Sequence, residues 1–199
     1  MIRLAADTAH TKKVLRPGPS LYPLPAVLVS CAGEVDGVPR RNVLTLAWAG
    51  IACGEPPMVS VAVRPTRFSH GLIVSSGEFV VNVPSVAMCR AVDLCGNLSG
   101  RDGDKFALAG LTAAPASQVG APLVAECPIS LECRVRHTFS GGSHDLFIGE
   151  IVAVQAAEAV LDANGKIDIV KVDPLCYGGG FYWPLELGRR LGDYGFSRK

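Results

Sequence analysis

Arg64, Arg67 and Ser69 sit close together in VAVRPTRFSHGLI, residues 61–73. Two guanidiniums and a hydroxyl at this spacing are the donors of an anion site. Pro65 ends the apolar strand before them by removing an N–H from the ladder. The apolar run GLIVSS follows Ser69, with Gly77 just beyond, so Ser69 reads as the N-cap of a short helix with a glycine stop. A helix start presents unpaired N–H groups and a partial positive charge. Cap, dipole and arginines together could therefore grip a phosphate without a glycine-rich loop. A plain serine cap beside two surface arginines explains the same residues equally well.

Three further positions could do chemistry. In RRNVLTLAWAG, Asn42, Thr45 and Trp48 interrupt an apolar strand. A buried asparagine needs partners, which a flat multi-acceptor ring such as an isoalloxazine could supply, with Trp48 as a wall. Alternatively, Trp48 is core and Asn42 belongs to the hairpin. Lys105, in GDKF, could hold negative charge beside a reduced ring, or be an ordinary solvated lysine. His144, in GSHD, could donate to a ligand or simply occupy a turn. The four histidines are scattered and show no metal-ligand spacing. No local Ser-His-Asp or Cys-His arrangement suggests hydrolysis. No G-x-G-x-x-G follows a strand, so a Rossmann dinucleotide site is not supported.

These side chains need a scaffold, and the sequence describes one. The 199 residues are 49% hydrophobic and 19% charged, enough for one domain with a large core. A net charge of +1 gives no nucleic-acid footprint, and no apolar run is long enough to span a membrane. The N-terminal residues lack the apolar core of a signal peptide. The seven cysteines show no C-x-x-C and read as buried thiols in a cytoplasmic protein. Residues 1–24 read as an arm closed by Pro17, Pro19 and Pro23, and residues 25–199 as the domain. Strands are expected at 26–33 and 41–49 around an Asp36-Gly37 turn, then at MVSVAVR and EFVVNV. Pro84-Ser85 opens a helix over VAMCRAVDLCG, stopped by Gly96, and SGRDGDKFALAG is loop with at most a helical turn. In SLECRVRHT, Leu131, Cys133 and Val135 alternate with Glu132, Arg134 and Arg136, so one face is buried and the other wet. LFIGEIVAVQAA returns, with Gly149 placed for a bulge, and LCYGGGFYW is a late strand or loop. Short hairpin-linked strands with two convincing helices predict a mainly β fold, an antiparallel barrel with short helical insertions.

The fragments NVLTLAWAG, EPPMVSVAVRPTRFSHGLIVSSGEFVVNVP, CGNLSGRDGDKF, LEC, GSHDLFIGEIVAV and PLCYGGGFYW occur in an order that resembles the flavin reductase-like, FMN-binding split-barrel family, its flavoredoxin branch above all. The resemblance runs from about residue 20 to 188. It implies a split β-barrel with one FMN per subunit, in a homodimer. By the same resemblance, the isoalloxazine contacts fall on Asn42, Thr45, Leu46, Ala47 and Trp48. The phosphate grip falls on Arg64, Arg67, Phe68 and Ser69. Lys105 becomes the stabiliser of the reduced flavin, and His144 and Tyr177 complete the cofactor site. The implied activity is NAD(P)H-dependent flavin reduction, with NADH or NADPH as hydride donor and a small molecule or protein as electron acceptor. A non-catalytic electron carrier and an oxidase of the pyridoxine-phosphate type are the alternatives. The latter needs a second anion site, and the sequence displays one clear cationic cluster.

Overall fold

The computed structural model describes residues 11–186. Residues 1–10 of the expected arm and 187–199 of the expected domain lie outside the described residues. Residues 11–22 carry no helix or strand and are exposed, and Leu24–Pro25 forms the first short strand, β1.

Val27–Val35 (β2) and Val38–Leu46 (β3) pair across Asp36-Gly37. Both turn residues have positive φ, 53° and 73°, as a two-residue primed hairpin turn requires. Ala49–Gly54 (β4) and Pro57–Val63 (β5) follow. The helix Phe68–Ser76 (α1) ends at Gly77, whose φ of 68° gives the left-handed C-terminal turn expected there. Glu78–Val83 (β6) leads through a 3-10 turn at Val86–Met88 into Cys89–Asn97 (α2), then Lys105–Leu108 (α3). Ala113–Ala114 (β7) and Leu123–Val124 (β8) form a small pair. Ile129–Ser140 (β9) and Asp145–Ala156 (β10) are the two long strands. After Ile169–Val172 (α4), a last hairpin is made of Leu175–Gly178 (β11) and Phe181–Pro184 (β12).

Seven strands form one antiparallel sheet in the order β3-β2-β6-β9-β10-β5-β4. Its edge strands, β3 and β4, are consecutive in the chain and joined only by Ala47–Trp48. The sheet must therefore curl until its edges approach, leaving a seam with no ladder between them. This is the split barrel the sequence predicts. The barrel interior holds Val29, Cys31, Leu44, Val61, Phe79 and Phe147, joined by Leu72 and Ile73 of α1. Gly33 admits α1 closely, because a Cβ there would stand 2.9 Å from the Leu72 carbonyl oxygen. The opposite face of β2 and β3 contributes Leu28 and Val43 to a second core with Val92 and Cys95 of α2 and Phe106 of α3. β2 is thus buried on both faces along much of its length.

Several expectations need correction. The strand expected over 41–49 is broken at Ala47–Trp48, because those residues carry the chain from one sheet edge to the other. Gly96 does not stop α2, which continues to Asn97. Glu132, expected on a wet face, is fully buried. The segment leading to β8 covers it. Glu132 accepts hydrogen bonds from Ser117 N (3.0 Å), Ser117 Oγ (2.8 Å), Gln118 N (2.6 Å) and Gln155 Nε2 (2.6 Å). Burial raises its pKa, but these bonds together outweigh that effect and hold it below the ordinary glutamate value.

The β9–β10 ladder shifts register at Ile148/Gly149, the bulge expected there. A Cβ on Gly149 would lie 2.6 Å from Phe79 Cζ and 3.0 Å from Cys133 Cβ, inside the barrel core. Gly149→Ala should therefore cost about 1–3 kcal/mol through overpacking. Urea unfolding curves of the two proteins check this, and an unchanged midpoint would show that Phe79 can yield.

Candidate functional site

α1 begins at the seam. Its N-cap is Arg67, in an extended conformation and with no side-chain cap. Ser69 is therefore not the cap: it lies in the first turn and is buried. There its hydroxyl accepts from Asn42 Nδ2 at 2.7 Å. That bond uses an acceptor lone pair of Ser69 and leaves its single proton to donate. Asn42, buried on β3, thus fixes the hydroxyl at an uncapped helix end.

A pocket of about 230 Å³ opens at this point. Four cations line it: Arg64, Arg67, Arg101 and Lys105. Thr45, Thr66, Phe68 and Ser99 also contribute to its wall, and among the described residues no carboxylate does. Gly100 lies over Asn42 so closely that a Cβ would stand 2.6 Å from Asn42 Oδ1 and 2.5 Å from Phe68 Cδ1. Arg101 donates from Nη1 to the Thr66 carbonyl at 3.1 Å, and its guanidinium stands 5.7 Å from the Phe68 ring centre. Sequence reasoning missed Arg101, because an arginine in a loop carries no periodic signal. Its only trace was the S-G-R run beside GDKF.

Lys105 is buried, which rules out the reading of it as a solvated loop lysine. Asp104 caps α3 by accepting from Phe106 N at 3.0 Å. Lys105 is thereby directed inward, where Nζ donates to the Cys95 carbonyl at 2.6 Å and the Leu98 carbonyl at 3.2 Å. It ties down the end of α2, where carbonyls lack helical partners. Burial pulls its pKa down, and Arg67 adds to the fall; the balance leaves it at about 8.

Thr45 and Gly96 line this pocket and also a neighbouring cavity of about 370 Å³, which includes Ala47, Asp93, Tyr177 and Tyr182. The Tyr177 and Tyr182 rings meet edge to face at 5.4 Å. Burial and the nearby Asp93 push the Tyr182 phenol up to about 12, so it stays protonated at neutral pH. The two spaces adjoin at Thr45 and Gly96, which lie against each other, and make a cleft in two parts, one lined by cations and the other by aromatics. Tyr182 and Asp93 are further residues the sequence did not single out.

The structure divides the expected site residues. Asn42, Thr45, Arg64, Arg67, Phe68, Ser69 and Lys105 share the cationic pocket; Ala47 and Tyr177 line the aromatic end. Leu46 packs against the barrel core. Trp48 and His144 stand outside the cleft. Their rings are 4.5 Å apart, and His144 Nε2 accepts from Arg64 Nε at 3.4 Å. Burial and Arg64 both lower the His144 pKa, which keeps the ring neutral and able to accept. Trp48 walls a separate apolar groove that runs under Gly18–Leu21 of the arm.

A cationic pocket at a helix start, beside an aromatic-lined cavity, thus sits on a split barrel. A family model described as "Flavin reductase like domain" matches residues 20–185, and the chain belongs to that family. It is similar to the flavoredoxin of Desulfovibrio vulgaris (Miyazaki F), with 35% identity and a TM-score of 0.86 over 95% of this chain and 100% of that one. The flavoredoxin of Methanosarcina acetivorans follows at 31% identity and a TM-score of 0.83, covering 95% and 98%. An FMN reductase (NADH), RutF of Stutzerimonas stutzeri, is 27% identical over 60% of this chain and 66% of its own length.

Lys105 gives the cationic end a pH signature. In the free protein it carries its charge below about pH 8, and an anion gains from that charge. Affinity for inorganic phosphate should therefore weaken as pH rises through 8, by up to about tenfold per unit above it. Calorimetric titrations between pH 7 and 9.5 check this, and Lys105→Met should flatten the profile. A flat wild-type profile would remove Lys105 from the anion site.

Proposed function

We propose that the cleft holds one FMN and that the protein is a flavin reductase-type oxidoreductase. In this reading NADH or NADPH supplies the hydride, and the electrons pass on to a small-molecule or protein acceptor. The observation that carries it is the polarity of the cleft: four cations without a carboxylate at one end, paired tyrosines at the other. The donor set fits a phosphate dianion, and the small pocket suits a phosphorylated ribityl tail.

When bound, FMN supplies the two-electron redox chemistry, which no side chain of the cleft can perform. The protein's part is to bind and orient. Arg64, Arg67 and Arg101 neutralise the phosphate, and Ser69, oriented by Asn42, donates its one proton to a phosphate oxygen. Lys105 stands at this tail end beside Arg67, so we assign it there and not to the ring. Ala47, Tyr177 and the β3 backbone wall the ring end. Trp48 and His144 brace Arg64 from behind.

A carrier reduced by a protein partner is the second reading, favoured by the similarity to two flavoredoxins. The likeness to an FMN reductase (NADH) supports the first. We further propose a homodimer, supported by Leu21, Ile51, Phe181 and Trp183, all more than half exposed. A cytoplasmic setting is supported by all seven cysteines being free thiols. Among the described residues no helix is long and apolar enough to cross a membrane.

Purified protein titrated with FMN should turn yellow and quench flavin fluorescence at one equivalent per subunit. Arg67→Ala should weaken binding at least tenfold, the worth of one charge-assisted contact of about 1.5–3 kcal/mol. A protein that takes up no FMN would refute the proposal. Anaerobic stopped-flow mixing of the loaded protein with NADH and NADPH separates the two readings: rapid bleaching marks the reductase, and its absence marks the carrier.

A further inference from the structure

Arg64 follows the last residue of β5 and is exposed. A long exposed side chain keeps many rotamers, and fixing them on binding costs free energy. The hydrogen bond from its Nε to His144 Nε2, at 3.4 Å, narrows that choice in advance. Arg64 can only donate, so Nε2 of the neutral His144 accepts. Its Nδ1 then carries the proton and donates to Ser143 Oγ at 2.9 Å. His144 itself sits at the tip of the β9–β10 hairpin, just after Gly141 and Gly142. Gly142 has a φ of 101°, and a Cβ on it would meet nothing within 4 Å. Such a glycine-rich tip depends on what anchors its base.

The anchor is a pair that the proposed function leaves unused. Asp145, the next residue, opens β10 and pairs with Val63, the residue before Arg64. Its Oδ2 lies 2.8 Å from Nε2 of His70, in the first turn of α1. The bond from His70 holds the Asp145 carboxyl below its ordinary value, and Ser140 adds to the effect. An ionised carboxylate only accepts, so His70 Nε2 donates. The two side chains are only 15% and 16% exposed. The His70 ring also meets Phe147 of the barrel core at 5.2 Å. His70 directly follows Ser69. One contact therefore ties the helix start that carries Ser69 to the hairpin that aims Arg64. The connections close a ring, because His70 N donates to the Arg67 carbonyl at 3.0 Å and Arg67 N to the Arg64 carbonyl at 2.9 Å.

We propose that His70 and Asp145 are positioning residues for the anion pocket: through His144 they hold Arg64 in the pose that meets the phosphate. This rests on the FMN reading of the pocket. Neither residue lines the pocket, so their effect on the ligand runs through Arg64.

FMN titrations followed by fluorescence quenching, run as a double-mutant cycle, test it. His70→Leu keeps an apolar contact for Phe147 and removes the donor. It should weaken FMN binding about three- to tenfold, the effect of leaving one long side chain to be ordered by the ligand. In an Arg64→Ala background the same change should weaken binding less than about twofold, because the side chain it positions is gone. His70→Gln puts a donor close to where Nε2 stood and should bring affinity back to within about twofold of the wild type. Asp145→Ala should behave as His70→Leu does, and it replaces that variant if His70→Leu does not fold. Unchanged affinity in the folded variants, or an equal loss with and without Arg64, would overturn the inference. Failure of all three variants to fold would mark the pair as a clasp of the fold itself, also against the inference. A wild type that takes up no FMN refutes the FMN reading and this inference together, whereas tight FMN binding without coupling to Arg64 refutes the inference alone.

Discussion

The whole molecule follows from a two-residue link between the outermost strands of a seven-stranded sheet. β3 and β4 lie at opposite ends of the ladder, yet Ala47–Trp48 alone separates them in the chain. Right-handed twist supplies the tendency to curl, and the link turns that tendency into a requirement. Closure leaves a seam where β3 offers a free edge. The chain leaving β5 enters α1 beside that seam. An uncapped helix start, the exposed edge and the loop after α2 then meet at one place. The cationic pocket is the outcome of that meeting and needs no glycine-rich phosphate loop.

Polar burial at the seam is organised in advance of any ligand. Removing an ammonium from water is costly unless its protons are bound. Lys105 offsets the cost with the carbonyls of Cys95 and Leu98, which also lack helical partners. Asn42 likewise serves two masters, fixing Ser69 on one side and receiving the close approach of Gly100 on the other. A site assembled this way has paid its ordering entropy during folding, which leaves less to lose when a ligand arrives.

Local signals in the sequence were legible where the physics is local. The Asp36-Gly37 turn, the Gly77 helix stop and the Gly149 bulge each depend on a few neighbouring residues, and each stands where expected. Ser69 was misplaced as a cap because the residue that claims its hydroxyl, Asn42, is 27 positions away. Glu132 satisfied the alternation of a solvated face, and only the segment at Ser117 and Gln118 reverses that. Lys105 read as a loop lysine until the end of α2 was placed over it. Arg101 had no periodic pattern to mark it, only the S-G-R run beside GDKF. The family resemblance placed Trp48 among the ring contacts and His144 in the cofactor site; in the structure their tilted rings meet at 4.5 Å, and His144 accepts from Arg64, outside the lining of the cationic pocket.

The Ala47–Trp48 link also bears on how the barrel can change over evolutionary time. Loops that merely bridge neighbouring strands can lengthen with little penalty, since closure entropy grows slowly with loop length. The seam link has no such freedom. Side chains alternate in direction along a strand, so one added residue absorbed into β4 would exchange its inward and outward faces. Novelty in this architecture is therefore channelled away from the seam and into the excursions around it: the arm, the loop carrying Arg101, and the chain between β10 and β11. The arm and the loop carrying Arg101 border the grooves, and they can be rewritten while the frame at the seam stays fixed.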